Sequence, residues 1–316
     1  KAKGKAMKPF LSVLIATYNR KDLLQKAVLS VQNQGFENLE IIISDDGSND
    51  GTNELCKALC EKDKRIFYTK NTHYQKGPNG NKNNALDNAK GEFIMFLDDD
   101  DELLPNAINS LVEKSKEGYT HIFGNCVVQK GETLTGEFSG KGLTQSGEVS
   151  KKDFLLGKFY GEFLSIFKRS LLGQNRFDDK LWGNEAVLWV HLYEGKSFYI
   201  HKPLRIYKIR RDDSVTQAAD KNASRVYLGY LALAQLLERE FNATQDKEYK
   251  KQIAIYYKMA AYYAKLAKMY KKMLECLLKS LSTKPTKEAL MLLCVCFVPS
   301  KVLKFLTSLR VRLCKN

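Results

Sequence analysis

Short apolar runs and helix-period segments alternate through the first two hundred residues. Residues 10–16 (Phe-Leu-Ser-Val-Leu-Ile-Ala) are a strand-length apolar run, and 20–34 follow with Leu23, Leu24, Ala27, Val28 and Val31 on one helical face. A second apolar run at 40–44 leads through an acidic turn into a helix over 52–60, and 65–70 reads as a short strand. A Gly/Asn-rich loop then precedes a helix near 83–89, and 92–97 is another buried strand. Strands that are apolar throughout are covered on both faces. Their alternation with helices predicts an α/β fold, a parallel sheet with helices on either side. Residues 121–128, 162–167 and 197–209 predict later strands of mixed direction.

The pattern changes near residue 222. Beyond it, Ala, Leu, Lys and Tyr dominate long helix-compatible stretches with breaks near 242–244, 282–285 and Pro299, which predicts about four helices. The expected organisation is an N-terminal arm over 1–8, left out of the fold, an α/β catalytic domain over 9–220, and a basic helical region over 221–316. The most apolar candidate span, 289–298, is about half the roughly 20 residues needed to cross a bilayer. The protein is therefore expected in the cytosol or seated on a membrane.

Charge sharpens this division. The net charge is +15, yet residues 221–316 hold 19 Lys and Arg against 6 Asp and Glu, while 1–220 hold 32 against 30. The surplus belongs to the helical region and points to an anionic surface. Lys251, Lys258, Lys265, Lys268, Lys271, Lys272 and Lys279 are interleaved there with Tyr256, Tyr262, Tyr263, Met269, Tyr270, Leu274 and Leu278, as in a helix lying on a membrane. At about 1 kcal/mol per basic residue, five engaged residues would supply roughly 5 kcal/mol of reversible attachment. The chain has no helix-turn-helix, finger or RNA-binding signature, so no nucleic acid is expected as partner. Seven cysteines, an odd number, lack neighbouring histidines or a second Cys pair, which predicts reduced buried thiols and not zinc.

Three polar clusters stand at predicted strand ends: Thr17-Tyr18-Asn19-Arg20, Asp45-Asp46-Gly47-Ser48, and Asp98-Asp99-Asp100-Asp101. Ligands of doubly wound sheets bind outside the carboxyl ends of the strands, so three such clusters predict one ligand site. Four adjacent carboxylates repel one another unless a cation is bound or some point away. Hard divalent cations take one or two carboxylates together with substrate phosphates. Asp101 is expected to start the next helix while Asp98 to Asp100 face the ligand.

These clusters and their flanks, Ser12-Val-Leu-Ile-Ala-Thr-Tyr-Asn-Arg20, Asp45-Asp-Gly-Ser-Asn-Asp-Gly-Thr52 and Gly91-Glu-Phe-Ile-Met-Phe-Leu-Asp-Asp-Asp-Asp101, resemble the signature segments of glycosyltransferase family 2 over about residues 9–215. The resemblance implies the GT-A fold, a Rossmann-like, mostly parallel sheet flanked by helices, here with an all-helical C-terminal extension. It also implies a UDP-sugar donor and inversion at the transferred sugar. By position, Tyr18 would stack on the donor base, Asp46 accept the base N3–H, and Gly77 let the backbone approach. Thr17, Asn19, Arg20, Gly47 and Ser48 would line the same donor site. Asp98 to Asp100 resemble the Asp-X-Asp motif: Asp100, with Asp98, would hold a divalent metal (Mn²⁺ or Mg²⁺), and Asp98 or Asp99 would reach the ribose. Lys82 stands where many members carry Arg. Arg210 or Arg211 stands near the place of a family histidine and would neutralise the diphosphate. The segment Trp182-Gly-Asn-Glu-Ala-Val-Leu-Trp189 fits the place of the family's acidic pair, which makes Glu185 the general base. His73, His121, His191 and His201 lack ligand spacing.

Further segments, among them Gly77-Pro-Asn-Gly-Asn-Lys-Asn-Asn84, Phe123-Gly-Asn-Cys126, Phe138-Ser-Gly-Lys-Gly142 and Val226-Tyr-Leu-Gly-Tyr230, are similar to the branching glucosyltransferases of bacterial lipid-linked N-glycan assembly. That implies UDP-glucose as donor and an undecaprenyl-diphosphate-linked oligosaccharide as the polyprenyl-linked acceptor. The product would carry a β-linked branch glucose on N-acetylgalactosamine, made on the cytoplasmic face of the inner membrane. The family motifs equally accommodate another UDP-sugar and a capsule or lipooligosaccharide acceptor.

Overall fold

The computed structural model describes residues 8–181, 185–208 and 221–294, with residue 302. In chain order the elements are β1 (Leu11–Thr17), α1 (Lys21–Gln32), β2 (Leu39–Asp45), α2 (Thr52–Lys62), β3 (Ile66–Lys70), α3 (Pro78–Asn88), β4 (Phe93–Phe96), β5 (Glu102–Leu103) and α4 (Ala107–Ser115). They continue as β6 (His121–Lys130), β7 (Thr133–Phe138), β8 (Gly147–Val149), α5 (Lys151–Leu155), β9 (Phe163–Lys168), α6 (Ala186–Trp189) and β10 (Ser197–Lys208). Helices α7 (Ala223–Thr244), α8 (Tyr249–Leu266), α9 (Tyr270–Thr283) and α10 (Lys287–Cys294) follow. Two compact units result: Lys1–Asp179 with Leu188–Arg211, and Lys180–Val187 with Asp212–Asn316.

The first unit is built on one sheet of order β3-β2-β1-β4-β9-β6-β10-β5, with β7 paired to β6 and β8 to β10. Strands β1 to β4 are parallel to one another, but β9 runs antiparallel to β4 and β6. The sheet is therefore mixed: β9 interrupts the parallel run, and β6 and β10 beyond it pair in parallel again. Side chains alternate across it with the strand period of two. Leu11, Val13, Ile15, Ile41 and Ile43 meet Leu24, Val28, Ile108 and Leu111 on one face. Leu14, Ile42 and Ile94 meet Ala85, Leu86, Phe167 and Phe177 on the other.

Two predicted boundaries shift. Helix α3 begins at Pro78, so the Gly/Asn-rich stretch read as a loop is its first two turns. Proline suits that first helical position because its missing N–H would have no intrahelical partner. Asp101 opens no helix; it precedes the short strand β5, and α4 starts at Ala107.

In the second unit α8 packs against both α7 and α9. Its buried face is largely alanine (Ala254, Ala260, Ala261, Ala264), which allows close approach, with Tyr257 donating to Glu238 at 2.7 Å. Ser280 of α9 donates to the Ala254 carbonyl at 2.7 Å. The basic stretch expected as one helix breaks after Leu266. Lys268 takes the left-handed conformation (φ 61°), its N–H reaching the Lys265 carbonyl and that of Met269 the Ala264 carbonyl. This is a Schellman ending with lysine where glycine is usual, so the break left no mark in the sequence. Lys265, expected on the membrane face, is 1% exposed. Among the described residues no helix is long and apolar enough to cross a membrane. Cys56, Cys126 and Cys276 are buried free thiols, and burial pushes Cys56 up to about 12. Cys294 is exposed, against expectation.

Candidate active site

Strand order reverses at β1, where the chain adds β2 and β3 on one side and then β4 on the other. That switch point opens a crevice at the carboxyl ends of β1 and β4. A hydrogen bond spans it: the Thr17 hydroxyl donates to Asp99 Oδ2 at 2.7 Å. Arg20 reaches the same place from the start of α1, its Nη1 donating to Asp99 Oδ1 at 3.1 Å and Asp100 Oδ2 at 3.2 Å.

The four aspartates are neutralised by three cations of the chain itself. Arg20 serves Asp99 and Asp100, Lys82 Nζ lies 3.3 Å from Asp98, and Arg205 Nη1 lies 2.6 Å from Asp101. The environments differ sharply. Asp98 and Asp100 have side chains 48% and 24% exposed, whereas Asp99 and Asp101 are buried. Lys82 beside Asp98 draws its carboxyl below the ordinary range. Burial pushes Asp99 up to about 6, opposed by the Thr17 hydroxyl and Arg20. Burial works against the charge of Arg205, but Cys126 and the carboxylates of Asp101, Glu162 and Asp98 raise its pKa well above the ordinary value. Burial pushes its partner Asp101 up to about 7, opposed by Arg205.

The second cluster forms a tight loop around two buried carboxylates. Asp45 accepts from the Ser48 N–H and hydroxyl at 2.9 and 2.6 Å and from Tyr68 at 2.8 Å. Asp46 accepts from Asn71 Nδ2 at 2.7 Å and from the Gly77 N–H at 2.6 Å. Asp46 thus ties the segment leading into α3 to the end of β2. Asn19 adopts φ 51°, a left-handed geometry that asparagine tolerates, and its N–H donates to the Ser48 hydroxyl at 2.8 Å. Tyr18 stands outward, 54% exposed. The structure therefore gathers Thr17, Tyr18, Asn19, Arg20, Asp46, Gly47, Ser48, Gly77, Lys82 and Asp98 to Asp100 at one sheet edge.

Sequence reasoning overlooked how α3 is held there. Asn81 Nδ2 donates to the Thr17 carbonyl at 3.0 Å, and the Ser44 hydroxyl donates to Asn81 Oδ1 at 2.5 Å. Asn84 Nδ2 donates to Ser44 Oγ at 2.7 Å, and Asn83 exchanges two hydrogen bonds with the Phe177 backbone. These links deliver Lys82 to Asp98. Their signal was the asparagine-rich run at 79–84, in which Asn81 and Asn84 are three residues apart on one helical face. Arg205 and Asn71 were also overlooked.

Glu185 lies in the second unit, partly exposed in the turn that opens α6. Within that unit Arg225 of α7 donates to the carbonyls of Lys180 and Leu181 at 2.8 and 2.9 Å, anchoring the segment before it. Arg210, Arg211 and 182–184 lie outside the described residues. A separate groove of about 440 Å³ beside Gly91 and Lys168 is at the other end of β4. Its Lys168 and Arg176 are paired with Glu92 and Asp87. Among the described residues no three His, Cys, Asp or Glu side chains converge to hold a metal unaided.

A switch point in a mixed sheet that carries an exposed tyrosine, acidic turns and an Asp-X-Asp strand end is the arrangement expected of a glycosyltransferase. The chain belongs to glycosyltransferase family 2, whose family description, Glycosyl transferase family 2, matches residues 12–175. It is 58% identical over 308 residues to the GalNAc(5)-diNAcBac-PP-undecaprenol beta-1,3-glucosyltransferase of Campylobacter jejuni subsp. jejuni serotype O:2, covering 98% of this chain and 100% of that protein. The fold is the GT-A fold. It superposes on S. aureus TarS 1–349 in complex with UDP-GlcNAc with a TM-score of 0.57 at 16% identity, covering 86% of this chain and 91% of TarS 1–349. The mannosyltransferase PcManGT of Pyrobaculum calidifontis, solved with GDP-Man and Mn²⁺, gives 0.53 at 16% identity over 96% of this chain and 85% of its own.

Proposed function

We propose that the enzyme transfers glucose from UDP-glucose, with inversion, to an N-acetylgalactosamine of an undecaprenyl-diphosphate-linked oligosaccharide, forming a β-1,3 branch in bacterial protein N-glycosylation. The observation that carries this is the 58% identity, over 98% of this chain and 100% of the other, to a protein named as a beta-1,3-glucosyltransferase of an undecaprenol-linked glycan.

On this reading Tyr18 stacks on the uracil, with Asp46 and the Gly77 backbone at its edge, while Asp98 or Asp99 addresses the ribose. The partly exposed carboxylates of Asp98 and Asp100 would suit a hard divalent cation, which takes one or two carboxylates together with substrate phosphates. PcManGT was solved with Mn²⁺. Such an ion supplies charge stabilisation to the diphosphate. Arg20 and Lys82, already beside these carboxylates, add their charge, as do Arg210 and Arg211. Glu185 takes the proton of the acceptor hydroxyl as its oxygen bonds to the anomeric carbon. The glycosidic C–O bond to phosphate breaks with its electron pair leaving on UDP.

The helical region, 221–316 in the proposed domain division, would hold the enzyme on the anionic cytoplasmic face of the inner membrane. Tyr270, Leu274 and Leu278 recur every fourth residue along α9 and are 55%, 40% and 64% exposed, with Lys271 and Lys272 beside them. An apolar stripe flanked by lysines matches an interfacial helix.

The test is transfer of radiolabelled sugar from a panel of UDP-sugars to lipid-linked oligosaccharide with Mn²⁺, Mg²⁺ or EDTA. Metal-dependent transfer of glucose alone is the expected result; transfer of another sugar would overturn the donor assignment and leave the family mechanism standing.

A further inference from the structure

Between α5 and β9 the ring of Tyr160 stands 67% exposed on a backbone that is unusually well held. Tyr160 and Lys141 exchange two backbone hydrogen bonds at 2.8 and 3.1 Å, forming an isolated antiparallel bridge. Two glycines let the strands touch. Gly161 has φ +96°, and a Cβ there would stand 2.4 Å from the Ser139 carbonyl oxygen. Gly142 has φ +95°, and its Cβ would meet the Lys158 carbonyl oxygen at 2.1 Å. The 138–142 segment is in turn clamped to β6 by Asn125, which donates to the Gly140 carbonyl at 3.0 Å and accepts its N–H at 2.8 Å. A mobile loop can leave an aromatic ring in water without consequence. This one is held outward on a fixed backbone, so a ligand stacking on it would meet a pre-set surface.

Two residues further on, the chain is tied to the aspartate tract. The neighbouring Glu162, 48% exposed, accepts from Arg205 Nη2 at 3.2 Å, and the same guanidinium holds Asp101, next to Asp100. Antiparallel pairing of Ile94 with Phe167 brings the start of β9 to the carboxyl end of β4, where the aspartate tract begins. Tyr18 and Asp46 occupy the β1 and β2 side of that tract, and Glu162, two residues after Tyr160, the β9 side. A transferase must bind its two substrates on opposite sides of the reacting bond. The C–H face of a pyranose suits an exposed aromatic ring, and its hydroxyls suit a carboxylate at the ring's edge.

We propose that Tyr160 is the stacking floor of the acceptor-sugar subsite, with Glu162 as its polar edge. This rests on the reading of the acceptor as an N-acetylgalactosamine oligosaccharide.

The experiment is binding of a soluble N-acetylgalactosamine oligosaccharide in the presence of UDP, by calorimetry, for the wild-type protein, Tyr160→Ala and Tyr160→Phe. Acceptor KM and donor KM in the transfer assay are measured alongside. Tyr160→Ala should raise Kd and acceptor KM at least tenfold and leave UDP affinity within twofold, while Tyr160→Phe, which keeps the ring, stays near wild type. Unchanged acceptor binding in Tyr160→Ala, in an enzyme that still transfers to this acceptor, overturns the inference alone. An equal loss of UDP affinity also overturns it. Wild-type protein that binds no such oligosaccharide overturns the inference together with the acceptor reading.

Discussion

The Asp101 carboxylate and the Arg205 guanidinium meet at 2.6 Å, each side chain only 5% exposed. Glu162 and Cys126 Sγ complete the surroundings of the guanidinium. This pair fastens the end of the aspartate tract to β10, while Asp98 and Asp100 keep partly exposed side chains. Replacing Arg205 with Ala leaves a buried carboxylate without its counter-ion, so stability should fall by about 3–5 kcal/mol. Urea denaturation measures it, and the joint replacement Asp101→Leu with Arg205→Met should recover much of the loss. A fall below about 1 kcal/mol for Arg205→Ala would mean the pair behaves as a surface contact.

Asp99 predicts a pH dependence. Its folded value, about 6, lies above the ordinary 3.8, so the native state holds this proton more tightly than the unfolded chain. The stability it contributes is complete below 3.8 and is lost as pH rises through about 6. Relative to Asp99→Asn, the wild-type protein should lose on the order of 2–3 kcal/mol across that window and stay level above it. Urea unfolding of both proteins between pH 4 and 8 tests this; a pH-independent difference would contradict it.

Asp100 has a partly exposed side chain and shares Arg20 with Asp99. Asp100→Asn should lower transfer by roughly a hundredfold or more while the thermal midpoint moves little. EDTA should abolish transfer by the wild-type enzyme. Full activity in either case would remove the metal from the mechanism.

Glu185→Gln should retain UDP affinity and lose about 10²- to 10⁴-fold in transfer rate, the contribution expected of a general base. Calorimetry with UDP and single-turnover transfer separate the two. A variant with near-normal turnover would move the base to another carboxylate.

The lysines beside the exposed stripe of α9 predict salt-sensitive attachment to vesicles containing phosphatidylglycerol and none to phosphatidylcholine alone. Leu274→Ser with Leu278→Ser should weaken cosedimentation, since both side chains already face water and their loss leaves the fold intact. Equal binding to both vesicle types would count against a charged membrane contact.

Much of this enzyme was legible in the amino-acid sequence because it is local. The apolar runs that became β1, β2 and β4 bury side chains on both faces, and each carries its polar cluster at the carboxyl end. Tertiary structure decided what pairs with those clusters. Arg20, Lys82 and Arg205 come from a helix start, the opening of a helix read as a loop, and a strand far along the chain. Only the order β3-β2-β1-β4-β9-β6-β10 brings them to four neighbouring aspartates. The same holds for the Lys268 break and for the side of α9 left in water. An apolar period shows that a helix has a greasy face, but burial depends on which neighbours arrive. Local propensity sets where elements form, whereas charge neutralisation and exposure are properties of contacts between residues distant in sequence.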